Sequence, residues 1–456
     1  MSSPVTKKQV SHSMTEGVIW KQIFFFTLPL LAGNLFQQLY NTVDSIVVGN
    51  YVGQRALAAV AASTPIVNII VGFFMGMSAG ASIVISMYFG ARDRKGLRRS
   101  VHASMLIAAV LGLILTFIGI FISPLLLRLI STPAGVMESA VLYLRIYFGG
   151  MLALMIYNMG SSVLRAVGDS RRPLYFLCVS SVINIGLDLL FVIVFRWGIA
   201  GVAWATLIAQ VVSAILVLLV LLRSQEDFSL NPRELRLDLP MIKRVMLLGM
   251  PAGLQQCLIS FSNLFVQSYI NQFDEAVMAG FGAYIKVDSF ILLPVQSVSL
   301  AVTTFVGQNV GAGSLERAEK GTRVSLFMSL GVTAALSALI NIFAGAILRV
   351  FCPEEEVIAA GLVFMKAFSP FYFTLCFCQV YSGALRGAGD ARTPMLVMTF
   401  SFVILRQIFL FIGTRVLPSL ELVAFSYPVT WLFAGAAVWL HYRRGKWKTI
   451  CSGEPA

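Results

Sequence analysis

Twelve apolar runs of 18 residues or more fill this chain of 456 residues almost from end to end. Each is long enough to cross a hydrocarbon layer about 30 Å thick as a helix. No other element of that length satisfies its own backbone polar groups in lipid. The runs predict helices over 22–50, 56–88, 100–130, 137–164, 172–195, 199–222, 240–272, 277–306, 320–348, 357–385, 393–415 and 420–442. Composition agrees, with 58% hydrophobic and 12% charged residues and a mean hydropathy of +0.83. Runs longer than a crossing needs are expected to tilt or bend, with Pro65, Pro294, Pro370 and Pro428 as the bending points.

The net charge of +13 would suit a nucleic-acid partner, but its placement excludes that reading. Of the 34 Lys and Arg, 25 lie near the N-terminus, the C-terminus or the even-numbered connections, among them Arg92, Arg94, Lys95, Arg98, Arg99, Arg171, Arg172, Lys243, Arg244, Arg443, Arg444, Lys446 and Lys448. The odd-numbered connections hold five: Arg55, Arg128, Arg196, Arg349 and Arg415. The positive-inside rule then makes both termini cytoplasmic, as an even number of crossings requires. The first 20 residues are polar and show no signal-peptide pattern, so the first helix is expected to act as its own insertion signal in the cell membrane.

Little of the sequence suits catalysis. His12, His102 and His441 have no Ser or Cys placed as a hydrolase would need, and no phosphate-binding Gly-x-x-x-x-Gly-Lys loop occurs, so an enzyme and ATP are not expected. Cys178, Cys257, Cys352, Cys376, Cys378 and Cys451 are scattered, and the Cys376-x-Cys378 pair points to two sides of a helix. No cofactor is expected.

The chain repeats itself. "VLRAVGDSRRP" (163–173) and "ALRGAGDARTP" (384–394) share six of eleven positions at a shift of 221, and the same shift pairs 56–62 with 277–283, 89–91 with 310–312 and 126–130 with 347–351. This is the mark of a duplicated six-helix unit. Two copies with an even helix count enter the membrane in one orientation, the parallel-repeat plan of secondary transporters. The expected organisation is an N-terminal segment 1–21, an N-lobe 22–222, a polar linker 223–239, a C-lobe 240–442 and a basic tail 443–456.

Polar groups inside the spans mark the candidate site. Asn34, Gln37, Asn41 and Asp44, with Tyr40 beside them, fall on one face of the first helix. The stretch "SSVINIGLDLLFVIVF" (180–195) carries Asn184 and, one turn on, Asp188. An interhelical hydrogen-bond seam would explain the amides. A carboxylate within the bilayer costs about 2.5–3.5 kcal/mol or more and calls for a function. Asp44, Asp188 and Thr206 fall at one depth, about 10 Å below the non-cytoplasmic surface, so they could form a proton-binding carboxylate cluster or an oxygen cage for a small cation. In the second repeat Asp188 is replaced by Phe409, Asn184 by Leu405, Thr206 by Tyr427, and Asp44 by Phe265 or Val266, an asymmetry that favours function over fold.

The C-terminal half carries Gln255, Gln256, Ser260, Asn263 and Gln267 along one helix, and Lys286 with Asp288, two apart and facing different ways. Arg145, Lys366 and Arg406 are the other intramembrane cations, as anchors or cavity charges. Met151, Met155, Met159 and Tyr157 could pack as core or line a cavity tolerant of varied ligands.

"LPLLAGNLFQQLYNTVDSIVVG", "LRAVGD", "LRGAGD", "VGQNVGAG" and "INIGLD" together resemble the multidrug and toxic compound extrusion (MATE) transporters over nearly the whole chain. The resemblance implies an all-α membrane protein of twelve helices in two lobes around a central cavity, exporting cationic amphipathic organic compounds by alternating access in exchange for protons or sodium ions. By position it implies coupling-ion binding at Asp44, Asn184, Asp188 and Thr206. Cavity residues would be Asn34, Gln37, Tyr40, Asn41, Asn158, Gln256, Asn263 and Asp288. "GLQQCLISFSN" and "FMKAFSPFYFTLCFCQVYS" lack the C-lobe acids of the NorM-like branch, so the chain resembles the branch with N-lobe coupling. The expected partners are organic cations and membrane lipids, with neither nucleic acid nor ATP, and the expected working unit is a monomer. A lipid-linked-precursor flippase or a narrow-substrate exporter on the same plan are the rival readings.

Overall fold

The computed structural model describes residues 13–351, 353–417 and 419–448. His12, Cys352, Cys451 and most of the segment and tail expected at 1–21 and 443–456 lie outside the described residues. Eleven helices are long and apolar enough to cross a membrane: α1 Ile19–Val52, α2 Gln54–Gly90, α3 Arg94–Leu129, α5 Arg171–Val194, α6 Ile199–Arg223, α7 Leu239–Ile270, α8 Glu275–Gly311, α9 Leu315–Ile342, α10 Glu355–Gly387, α11 Arg392–Val416 and α12 Leu420–Arg443. The twelfth crossing, α4, is a pair, Ala134–Gly149 and Met151–Ala166, bent by 47°. No strand occurs among the described residues.

The twelve expected spans are all present, with two local differences. The bend in α4 falls at Gly149 and Gly150 rather than at a proline, where the missing side chains let the backbone turn. The ninth run stops at Ile342, and Ala344–Phe351 forms a separate short helix. Pro370 does break its helix: α10 passes through a 3₁₀ turn at Ser369–Phe371.

The repeated "GD" turns have a local cause. Gly168 and Gly389 take left-handed φ values of 94° and 91°, which close α4 and α10. The next residue restarts the chain: Asp169 Oδ1 accepts from the backbone N–H groups of Arg171 and Arg172, each at 3.1 Å, and Asp390 Oδ1 from that of Thr393 at 3.0 Å. These motifs therefore serve the fold.

The lobes meet along α1, α2, α7 and α8. Gly72, Gly76 and Gly80 of α2 lie against α7 so closely that a Cβ at Gly76 or Gly80 would strike the backbone of Gly253 or Gly249. At the face bearing the termini α2 crosses α8: a Cβ on Gly90 would strike the Gln308 carbonyl, and one on Gly311 the Met87 carbonyl. Both pairs obey the shift of 221, so the crossing marks the pseudo-twofold axis and closes the molecule at the terminal face.

Away from that closure, Gln37, Asn41, Asn68, Gln256, Asn263 and Gln296 are exposed. Exposed amides at membrane depth on both lobes are expensive against lipid, so they face a cleft between the lobes that opens to the far face. The linker is ordered. Arg94 pairs with Asp227, Arg98 with Glu234 and Arg99 with Asp238 at 3.1, 2.7 and 2.5 Å, while His102 Nε2 accepts from the N–H of Asn231 at 3.0 Å.

Candidate functional site

Three helices bring the N-lobe acids and their neighbours together: α1 carries Asp44, α5 carries Asn184 and Asp188, and α6 carries Thr206. Asp188 is fully buried, Asn184 nearly so, and Thr206 is 9% exposed. Asp44 and Asp188 lie on α1 and α5, which pack against each other. Neither oxygen of Asp188, neither amide atom of Asn184, nor Oγ1 of Thr206, nor Oδ1 of Asp44 has a hydrogen-bond partner in the protein. Buried polar atoms are nearly always paired. Other buried polar atoms also lack a partner, but here six gather on four adjoining side chains and include both oxygens of a carboxylate, which makes them the candidate site for a partner from outside the fold.

Both acids lie just before a widened, π-helical turn, Val48–Val52 after Asp44 and Leu190–Val194 after Asp188. Such turns are rare and frequent at functional sites. A cavity of about 90 Å³ runs from Asn184 and Thr206 along Tyr40, Tyr147 and Tyr157 to Ser180 and Ser213, with Gln37 at its rim.

The other expected residues divide. Gln37 and Tyr40 line this cavity, and Asn41 is exposed one turn below Asp44's neighbourhood on α1. Asn158 is half-buried on α4, where its Nδ2 donates to the Leu154 carbonyl at 3.0 Å, and its neighbour Tyr157 lines the cavity. Asn34 is a contact between lobes, donating to Ser297 Oγ at 3.1 Å, and Gln256 lies beside Gly72 on the α2–α7 seam.

Asn263 and Asp288 belong to a separate C-lobe cluster. Asp288 Oδ1 accepts from the hydroxyls of Tyr284, at 2.9 Å, and Tyr372, and the two hydroxyls are 2.7 Å apart. Asn263 Oδ1 accepts from Arg406 at 3.1 Å, and the Arg406 guanidinium lies over the Tyr427 ring at 4.3 Å. Lys286 turns away, over the Phe351 ring at 5.6 Å, so it does not pair with Asp288.

Sequence reasoning missed Tyr147, Tyr284, Tyr372 and Gln210. Tyr284 was findable, since it lies one turn before Asp288 on the same face, and so was Gln210, one turn after Thr206 on α6, where it lines the same cavity; Tyr147 and Tyr372 come from other helices.

Two repeated six-helix lobes, a cleft between them and an unpaired acid cluster inside one lobe define a membrane transporter. The model of the MatE family matches residues 29–190 and 251–412, one match per repeat. This chain belongs to the MatE family and is a multi-pass efflux transporter of that type. It is 32% identical to a probable multidrug resistance protein, YpnP, of Bacillus subtilis, over 96% of this chain and 98% of that one. It is 31% identical to YoeA of the same organism, also described as a probable multidrug resistance protein, over 86% of each. An outward-facing structure of a multidrug resistance MATE family transporter superposes with a TM-score of 0.91 at 22% identity, covering 97% of this chain and 99% of the other.

Proposed function

We propose that the chain is a cell-membrane antiporter that exports cationic amphipathic organic compounds and takes in protons or sodium ions at Asp44, Asn184, Asp188 and Thr206. The carrying observation is the set of buried, unpartnered oxygen and nitrogen atoms on these four side chains. A proton would bridge the two carboxyls, and a sodium ion would take their oxygens with those of Asn184 and Thr206. Either neutralises charge that burial otherwise penalises, so binding favours a compact lobe.

The terminal face is cytoplasmic on this reading, and the cleft opens outward. The coupling ion arrives from outside, where its gradient and the membrane potential drive it in, at about 2.3 kcal/mol per charge per 100 mV. The organic cation rests against Gln37, Tyr40 and the faces of Tyr147 and Tyr157, which attract cations through their ring quadrupoles. Occupation of the acids then releases it. The protein works as a monomer with membrane lipids around it, and needs neither ATP nor a cofactor.

The test uses purified protein in liposomes, following ethidium export under an imposed pH gradient or an imposed sodium gradient, with wild type and Asp188→Asn side by side. Export driven by one gradient and lost in the variant is expected. Equal export by Asp188→Asn overturns the coupling assignment, and no export by the wild type under either gradient overturns the substrate reading.

A further inference from the structure

The short segment ahead of α1 is held inside the terminal-face closure. The backbone N–H of Met14 donates to Gln308 Oε1 at 2.8 Å, and its carbonyl accepts from Asn309 Nδ2 at 3.2 Å and from the Arg317 guanidinium at 3.4 Å. Its side chain is 4% exposed and packs among Ile23 and Phe26 of α1 and Ala301 and Phe305 of α8. Met14 thus touches both lobes at once.

Gln308 is also a tie between lobes. It is fully buried on α8, and its Nε2 donates to the Ala166 carbonyl at the end of α4 at 2.8 Å. With its nitrogen on Ala166, the buried Gln308 oxygen would be left unpaired without a donor on the other side, at the desolvation cost of an unsatisfied acceptor. Met14 supplies that donor, so the segment fixes the orientation of the group that joins the lobes. Arg317 adds a second tie, donating to Gln22 Oε1 on α1 at 2.8 Å.

The repeat shows that this arrangement has a partner. The segment before α1 docks on the start of α9, and the linker before α7 docks on the start of α3, where Arg98, Arg99 and His102 hold it. α3 and α9 occupy the same place in the two repeats, so each lobe is clasped by the segment that leads into the other. The linker is continuous with both lobes. Among the described residues the segment at 13–16 is continuous with α1 alone, so it is the clasp that can leave without parting a lobe. Position 308 itself is not symmetric: its counterpart is Met87, and that of Asn309 is Tyr88.

We infer that Gln308, Asn309 and Arg317 form a docking surface for the chain's own residues 13–16, and that their occupation holds the terminal face closed. The inference rests on the alternating-access reading above, because the clasp has to open before the lobes part on that side.

Spin labels on Arg171→Cys and Arg392→Cys, exposed and equivalent in the two repeats, in a background without other cysteines, would report the distance between lobes at the terminal face. Wild type, a deletion of residues 2–16, Met14→Pro and Gln308→Leu would be compared in liposomes at several pH values and sodium concentrations. The deletion and Met14→Pro leave every membrane-spanning helix unchanged, so they carry the test if Gln308→Leu fails to fold. The expected result is a roughly tenfold rise in the long-distance population in each variant, equal to about 1.4 kcal/mol, and its reversal in the deletion by an added peptide of residues 1–17. Two populations in the wild type that the deletion and Met14→Pro leave unchanged would overturn the clasp alone. A single unchanging distance in every protein and condition would overturn alternating access and the clasp with it.

Discussion

Gly76 and Ser297 occupy the same place in the two repeats and make opposite contacts. A Cβ on Gly76 would run into the backbone of Gly253, whereas Ser297 Oγ accepts a 3.1 Å hydrogen bond from Asn34. One side of the interface between lobes is thus sealed by backbone packing, and the other is joined by side chains that can let go.

Filling the sealed side should therefore do more harm. Gly76→Val is expected to lower stability by about 1–3 kcal/mol through overpacking, and Ser297→Ala by about 0.5–1.5 kcal/mol through one lost hydrogen bond. Thermal unfolding in detergent would compare them. A smaller loss for Gly76→Val than for Ser297→Ala would contradict the close-packed seam.

At the acid cluster, Thr206→Val keeps the shape of the side chain and removes Oγ1. Hydrogen bonds to charged groups contribute about 1.5–3 kcal/mol, so the apparent affinity for the coupling ion should fall about tenfold or more. Asn158→Ala should change it less than twofold, since the Asn158 amide is engaged within its own helix. Ion-dependence curves of export in liposomes would separate the two, and equal shifts would count against the site.

In the C-lobe, Tyr284 and Tyr372 share one carboxylate oxygen of Asp288. Tyr284→Phe and Tyr372→Phe should each destabilise the protein, and the double variant should depart from their sum by about 0.5–3 kcal/mol. Strict additivity in a thermal-stability cycle would mean that the two hydroxyls act independently.

Acid should loosen the linker. The hydrogen bond from Arg99 holds the Asp238 carboxyl below the usual carboxylate range. A group whose folded value is depressed stabilises above its unfolded value, near 4, and loses that contribution as pH falls through the folded one. Protection of residues 226–238 against hydrogen exchange, taken relative to the intrinsic rate at each pH, should fall at pH 3 compared with pH 7, and Asp238→Ala should be weakly protected at both. Unchanged protection at pH 3 would show that the ion pair does not hold the segment.

The twelve crossings and the duplication were legible because length, apolarity and the 221-residue shift are properties of contiguous sequence. Asp44, Asn184, Asp188 and Thr206 were legible for a related reason: their depths follow from helix rise, and the second repeat lacks them. The bend at Gly149 and Gly150 was not, since a glycine pair is common in membrane helices that stay straight. Nor were the π-helical turns beyond Asp44 and Asp188, which depend on packing against neighbouring helices. Tyr284 and Tyr372 are 88 residues apart, and only the fold joins them.

The shallow placement of the acids has an electrical consequence. Asp188 lies six residues before Val194, the end of its helix at the far face, or about 9 Å at helical rise, in a hydrocarbon layer of about 30 Å. If Asp188 takes the coupling ion as proposed, an ion reaching it from that side crosses only about a third of the voltage drop before it binds. The rest would be traversed while the ion is held, so an applied potential should act less on how tightly the ion binds than on how fast the loaded lobes turn over.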